Sequence, residues 1–257
     1  MTVQHQLETT LRTLKLSGML DTLDARLGQA RAGELGHLEF LQVLCEDEIA
    51  RRAAAAVGRR LRAARFDEQV TLEQFDFAVS AQLPVAAIRD LATLRFLDRG
   101  ESIILHGPVG VGKSHVAQAL GHLACRHGRS VMFVKTGRAL AHLAGGHADH
   151  SWNSRLRKLA NPALLILDDF AMRELTSGQA DDLYELITER TGRSTILTAN
   201  RAPADWYPLF PNPVIAESLL DRLINTSHVL LMDGPSYRPR KRPAPNGGNP
   251  PTTSTRN

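Results

Sequence analysis

Three glycines, a lysine and a hydroxyl fall within eight residues, Gly107-Pro108-Val109-Gly110-Val111-Gly112-Lys113-Ser114. Glycine lets the backbone enter the left-handed region and approach a ligand that a Cβ would hold off. Successive amide N–H groups can then converge on phosphate oxygens at the positive end of a following helix. In a phosphate-binding loop of this spelling the lysine reaches the β- and γ-phosphates and the hydroxyl ligates Mg2+. Gly107 to Ser114 are therefore the candidate nucleotide-binding residues, with ATP and Mg2+ the expected ligands.

Two further stretches carry candidates. The apolar run Leu164–Leu167 ends in Asp168-Asp169. An apolar strand closed by acids, downstream of a P-loop, is the Walker B pattern. Asp168 would hold Mg2+, and Asp169 could orient and polarise an attacking water. The same pair could also simply cap a strand-to-loop turn. Another run, Ser194–Thr198, leads to Asn200. Asn200 either meets the γ-phosphate or lytic water, or forms a turn.

These residues need a scaffold that brings separate strand ends together. Ser102–His106 reads as a strand and His115–His127 as a helix, with Val116, Leu120, Leu123 and Ala124 near helical spacing. Beyond them strand and helix patterns alternate. Strands are expected at 131–134, 163–167, 194–198 and 228–232, and helices at 137–143, 177–190 and 214–224. Continuous apolar strands between helices imply an α/β fold, a P-loop NTPase whose parallel sheet is covered on both faces. Such folds place ligands at the carboxyl ends of the strands.

Residues 1–66 read as a separate helical domain. Leu7, Leu11 and Leu14 form one stripe, continued by Leu20, Leu23 and Leu27. A long helix from His37 to Arg65 is expected to turn Leu38, Leu41, Cys45, Ile49, Val57, Leu61 and Ala64 inward. Its outer arginines, Arg51 to Arg65, form either a solvated face or a phosphate contact. Phe66–Pro84, with Phe75 and Phe77, is a connector that lines the adenine site or packs as an ordinary linker. Val85–Leu97 reads as one helix. The ATPase core would then span 67–238, and the basic, Pro/Asn/Gly/Thr-rich residues 239–257 read as a disordered tail.

Composition narrows the class. The 257 residues are 43% hydrophobic and 23% charged, with a net charge of +4 and a pI near 9.4. This describes a globular chain whose charge permits nucleic-acid binding. No apolar run reaches membrane-spanning length, and no signal-peptide pattern opens the chain. Only Cys45 and Cys125 are present. A reduced, cytoplasmic compartment fits, with both thiols expected to be buried on apolar helix faces.

With these residues assembled, the chain resembles the IstB-like ATPases of the AAA+ class, helpers of insertion-sequence transposases. The likeness is carried by Leu14-Lys15-Leu16, Glu39-Phe40-Leu41, Phe75-Asp76-Phe77, Leu91 to Phe96, the P-loop, Asp168-Asp169, Asp221-Arg222-Leu223 and Ser236-Tyr237-Arg238. The resemblance implies ATP bound between neighbouring subunits and oligomers that form with ATP. It implies assembly on duplex DNA and recruitment of a transposase. Arg222 matches the arginine finger that reaches a neighbour's γ-phosphate, or else pairs with Asp221 on the helix surface. Arg238 matches a second nucleotide-sensing arginine. Arg155, Arg157 and Lys158, beside Trp152, are the candidates for DNA backbone contact. The DnaC helicase loader is a near relative of the family, so a loader acting on single-stranded DNA is the first alternative. A P-loop small-molecule kinase is the second. Two departures stand out: Asp169 replaces a more usual Glu, and Ala171 a more usual Gly.

Overall fold

The computed structural model describes residues 2–77 and 82–236, so Arg238 and the tail lie outside the described residues. Ten α-helices and five strands are found among them. The strands are β1 (Ser102–His106), β2 (Val131–Lys135), β3 (Leu164–Phe170), β4 (Ser194–Ala199) and β5 (Ser227–Leu231). All pairings are parallel, in the order β2-β3-β4-β1-β5. The helices are α1 (Val3–Thr13), α2 (Ser17–Arg31), α3 (His37–Ala64), α4 (Val85–Leu91), α5 (Arg95–Arg99), α6 (Lys113–Arg126), α7 (Thr136–Ala148), α8 (Trp152–Ala160), α9 (Ser177–Glu189) and α10 (Pro213–Asn225).

The continuous apolar strands are covered on both faces, as their composition requires. On one face Ile103, Leu105, Leu164 and Ile166 pack with Val116 and Leu120 of α6 and Ile88 of α4. On the other, Ile104, Leu165, Leu167 and Leu197 pack with Leu140 of α7, Leu156 of α8, Leu183 of α9 and Leu219 of α10. Burying each such side chain contributes about 1.5–3 kcal/mol. These layers fix the carboxyl ends of β1, β3 and β4 relative to one another.

Three local expectations need correction. Val85–Leu97 is two helices, because Leu94 sits at φ 61°. Its buried side chain takes up that left-handed turn, and the chain re-enters as α5 just before β1. The helix expected at 137–143 runs on to Ala148, and α8 comes after it, an element with no strong apolar run to announce it. The inward face of α3 also differs from expectation. Leu38, Leu41, Cys45 and Ile49 are exposed, while Leu44 and Glu48 are buried. Cys125 is buried, as expected.

Glu48 explains the rotation of α3. Its carboxylate accepts from the Gly18 amide at 2.6 Å and from Arg51 and Arg52. A Cβ on Gly18 would stand 2.8 Å from the Glu48 Cα, so the glycine admits the close crossing of α2 and α3. Leu11, Leu23 and Leu44 form a small cluster there. The last turns of α3 instead join the main core through Leu61 and Ala64.

Candidate nucleotide site

The P-loop joins β1 to α6, and its glycines are held to their shape by neighbours. Gly107, Gly110 and Gly112 have φ of 140°, 89° and 96°. A Cβ on Gly107 would meet the Met232 carbonyl oxygen at 2.0 Å, and one on Gly112 the Phe75 ring at 2.6 Å. Lys113 opens α6 as a buried residue, and its Nζ donates to the carbonyls of Gly107 and Pro108 at 2.8 and 2.6 Å. Burial and the nearby Lys113 charge hold His106, at the end of β1, below the ordinary histidine pKa.

The first Walker B acid, Asp168, meets this loop directly. Ser114 Oγ donates to Asp168 Oδ1 at 2.6 Å, and Thr198 Oγ1 of β4 donates to the same oxygen at 2.6 Å. Thr136 donates to the Asp168 carbonyl at 3.0 Å. These bonds satisfy the buried carboxylate and fix its direction.

Asp169 is placed by backbone geometry. Between Leu167 and Phe170 the β3–β4 register slips, an irregularity on β3 that re-aims the adjoining residues. Asp169 and Ala171 take φ of 56° and 57°. The Asp169 amide donates to Thr198 Oγ1 at 3.1 Å, and its Oδ2 lies 3.5 Å from Lys135 Nζ at the end of β2. Below this turn Phe170 packs edge-on against the fully buried Trp206, with ring centroids 4.7 Å apart.

Together these groups line a cavity of about 640 Å³ that includes Gly110, Lys113, Ser114, Asp169, Thr198 and Asn200. Asn200 is in reach of Met172, with Nδ2 3.2 Å from its sulfur. Phe75 and Asp76 of the connector form part of the wall, and Phe75 packs on Phe77 and His115. The cavity thus offers phosphate donors with an aromatic wall beside them, the Phe75 ring lying against Gly112 of the loop. Thr198 and Lys135 were not among the candidate residues. Lys135 had a visible signal, a charged residue ending an otherwise apolar strand, whereas Thr198 lies in a strand that already carries Ser194 and Thr195.

The remaining candidates lie elsewhere. Arg222, near the end of α10, donates to Thr188 Oγ1 at 2.9 Å and stands over the Tyr184 ring. With Ser102 and Thr195 it lines a cavity at the amino edge of the sheet, opposite the P-loop edge. Asp221 pairs with Asn225 rather than with Arg222. Arg155 is tied into the protein by Asp149, Ser151 and the His142 carbonyl. Arg157 and Lys158 are exposed on α8.

Comparison with known proteins bears on the family and the fold. A protein of Mycobacterium tuberculosis, named for ATP binding and for its place in an insertion sequence, is 69% identical over 92% of this chain and 95% of its own. A Pseudomonas aeruginosa protein named for ATP binding in insertion sequence IS21 is 35% identical over 93% of this chain and 90% of its own. The crystal structure of the DnaC helicase loader matches with a TM-score of 0.54 at 20% identity, over 68% of this chain and 99% of that one. That likeness is one of fold. The model of the IstB-like ATP binding protein family matches residues 9–244, and the chain belongs to that family.

Proposed function

We propose that this protein is a cytoplasmic ATPase that assembles on duplex DNA with ATP bound and assists a transposase. In this reading residues 1–66 form an assembly domain, 67–238 the AAA+ core and 239–257 a basic tail. The observation that carries the hydrolytic part is the meeting of Ser114, Asp168 and Thr198 at one carboxylate oxygen, beside Asp169 and Asn200 in one cavity. P-loop amides and Lys113 would hold the phosphates. Asp169 would align the attacking water, with Asn200 within reach of it or of the γ-phosphate.

The oxygens of Ser114 and Asp168 suit Mg2+, which takes one or two protein oxygens together with phosphates and water. Such a site needs no cluster of three acidic, His or Cys ligands, and none occurs among the described residues. Mg2+ bound there would neutralise charge on the phosphates. Arg222 lies too far round the sheet to serve its own P-loop, so its role would be toward a neighbour's ATP. Arg238 would sense the nucleotide, and Arg155, Arg157 and Lys158 would face the DNA backbone. The insertion-sequence naming of the relatives supports the role in transposition. No helix among the described residues is long and apolar enough to cross a membrane.

Sedimentation with ATP, with ADP and without nucleotide, on random-sequence duplex and single strands, tests the reading. Large complexes on duplex with ATP alone are expected. Preference for single strands would turn the assignment to a helicase loader. Phosphate transfer to a small molecule in place of water would turn it to a kinase.

A further inference from the structure

A second cavity, of about 260 Å³, opens beside β2 on the outer edge of the sheet. It is lined by Arg65 after α3, Lys135 at the end of β2, Arg138 and His142 of α7, and Lys158 of α8, with Asp67 the one acid. Among the described residues, Arg65, Arg138 and Lys158 make no ion pair, whereas Arg155, one turn before Lys158, is neutralised by Asp149. Four cations around one small space repel one another unless an anion joins them. Burial is the main cause that lowers the His142 pKa, and Arg155, Lys158 and Arg65 push it the same way. The volume falls below the roughly 300–1,000 Å³ of small-ligand pockets, which suits a phosphate group rather than a nucleoside.

Lys135 belongs to both sites. It lines this cavity, and its Nζ lies 3.5 Å from Oδ2 of Asp169, which lines the nucleotide cavity. Both side chains are about half exposed, so the pair is weak and open to competition.

We propose that this cavity binds a backbone phosphate of duplex DNA, and that its occupancy reaches the nucleotide site by drawing Lys135 away from Asp169. A phosphate oxygen in the cavity competes for the Lys135 ammonium. Asp169, released, can then accept a hydrogen bond from the attacking water. Contact with phosphate alone brings affinity without sequence preference. The inference rests on the reading that the protein assembles on DNA, and deepens it by naming a contact and its effect on turnover.

The test uses the full chain, a labelled random-sequence duplex and a series of salt concentrations. In the Arg138→Ala/Lys158→Ala double variant, duplex affinity falls and the slope of log K against log salt shrinks by about 2. Affinity for a fluorescent ATP analogue and far-ultraviolet dichroism stay at the wild-type level, which reports an intact fold, while stimulation by DNA is lost. Lys135→Met raises basal kcat about two- to fivefold, the scale of an exposed ion pair, with KM for ATP unchanged and no further rise on DNA. Inorganic phosphate in place of DNA leaves basal turnover unchanged; stimulation by phosphate alone overturns the DNA assignment. Wild-type affinity and salt slope in the double variant overturn the site. Retained DNA stimulation in Lys135→Met overturns the link. Absence of duplex binding by the wild type defeats the DNA-assembly reading itself, and is thereby told apart from failure of the cavity alone.

Discussion

Thr198 Oγ1 donates to Asp168 Oδ1 at 2.6 Å from the neighbouring strand. Asp168 is buried, and a hydrogen bond to a buried charge is worth about 1.5–3 kcal/mol. Thr198→Val keeps the shape of the strand and removes the donor. The expected outcome is a fall in kcat of about tenfold or more, read in a steady-state ATPase assay. Thr198→Ser should restore most of it. Equal rates in Val and wild type would show that the bond does not matter to turnover.

Lys113 has its ammonium among the loop carbonyls and lines the cavity. Lys113→Ala removes both those bonds and the charge. ATP affinity should fall below detection in equilibrium dialysis while far-ultraviolet dichroism remains that of the folded protein. Nucleotide binding that survives the change would contradict the placement of ATP on the P-loop.

Asp169 is aimed by a backbone turn, so changing its side chain should leave the turn in place. Asp169→Asn is expected to bind ATP with wild-type affinity and to turn it over at least about a hundredfold more slowly, as for loss of a positioning base. Unchanged turnover would remove Asp169 from the chemistry.

Arg222→Ala should lower ATPase only where subunits are joined. Mixing it with the Lys113→Ala variant should recover part of the lost activity, because some junctions then pair an intact P-loop with an intact arginine. A dilute, unassembled sample that shows the same loss would refute a role in trans.

The Glu48 carboxylate is held down to about 2 from an ordinary 4.5, first by the Arg51 hydrogen bond, with burial opposing and Arg52 and the Gly18 amide assisting. A depressed carboxyl pKa stabilises the folded state above the unfolded value, and this is lost as pH falls toward the folded one. The α2–α3 crossing should therefore loosen between about pH 4.5 and 2. In thermal melts, wild type should exceed Glu48→Gln at neutral pH and approach it in acid. A gap that stays constant down to the lowest pH would remove Glu48 from the acid response.

The sequence disclosed the parts of the site that depend on local spelling. The P-loop glycines, Lys113, Ser114 and Asp168 announce themselves because each needs a particular residue type beside its neighbours. Asp169 was legible as an acid but not as a left-handed one, since a bulge leaves no composition behind. Thr198 and Lys135 escaped notice because their meaning comes from adjacent strands, and strand order is a long-range property. The face of α3 was misread for a related reason. Its apolar stripe outweighed Glu48 on any hydrophobic count, yet Gly18, thirty positions earlier, supplies the close approach that makes burial of Glu48 favourable.

Arg222 and Lys113 stand at opposite edges of one sheet, so if Arg222 serves a neighbour's ATP, as proposed, a lone chain carries two halves of different sites. An open row of n copies joined head to tail contains n − 1 complete junctions, and a closed ring contains n. In the row the one end copy whose P-loop meets no neighbour would idle, and turnover per chain would climb with length toward a ceiling. In the ring it switches on at closure. The curvature of specific activity against protein concentration would therefore count the ends of the assembly without an image of it.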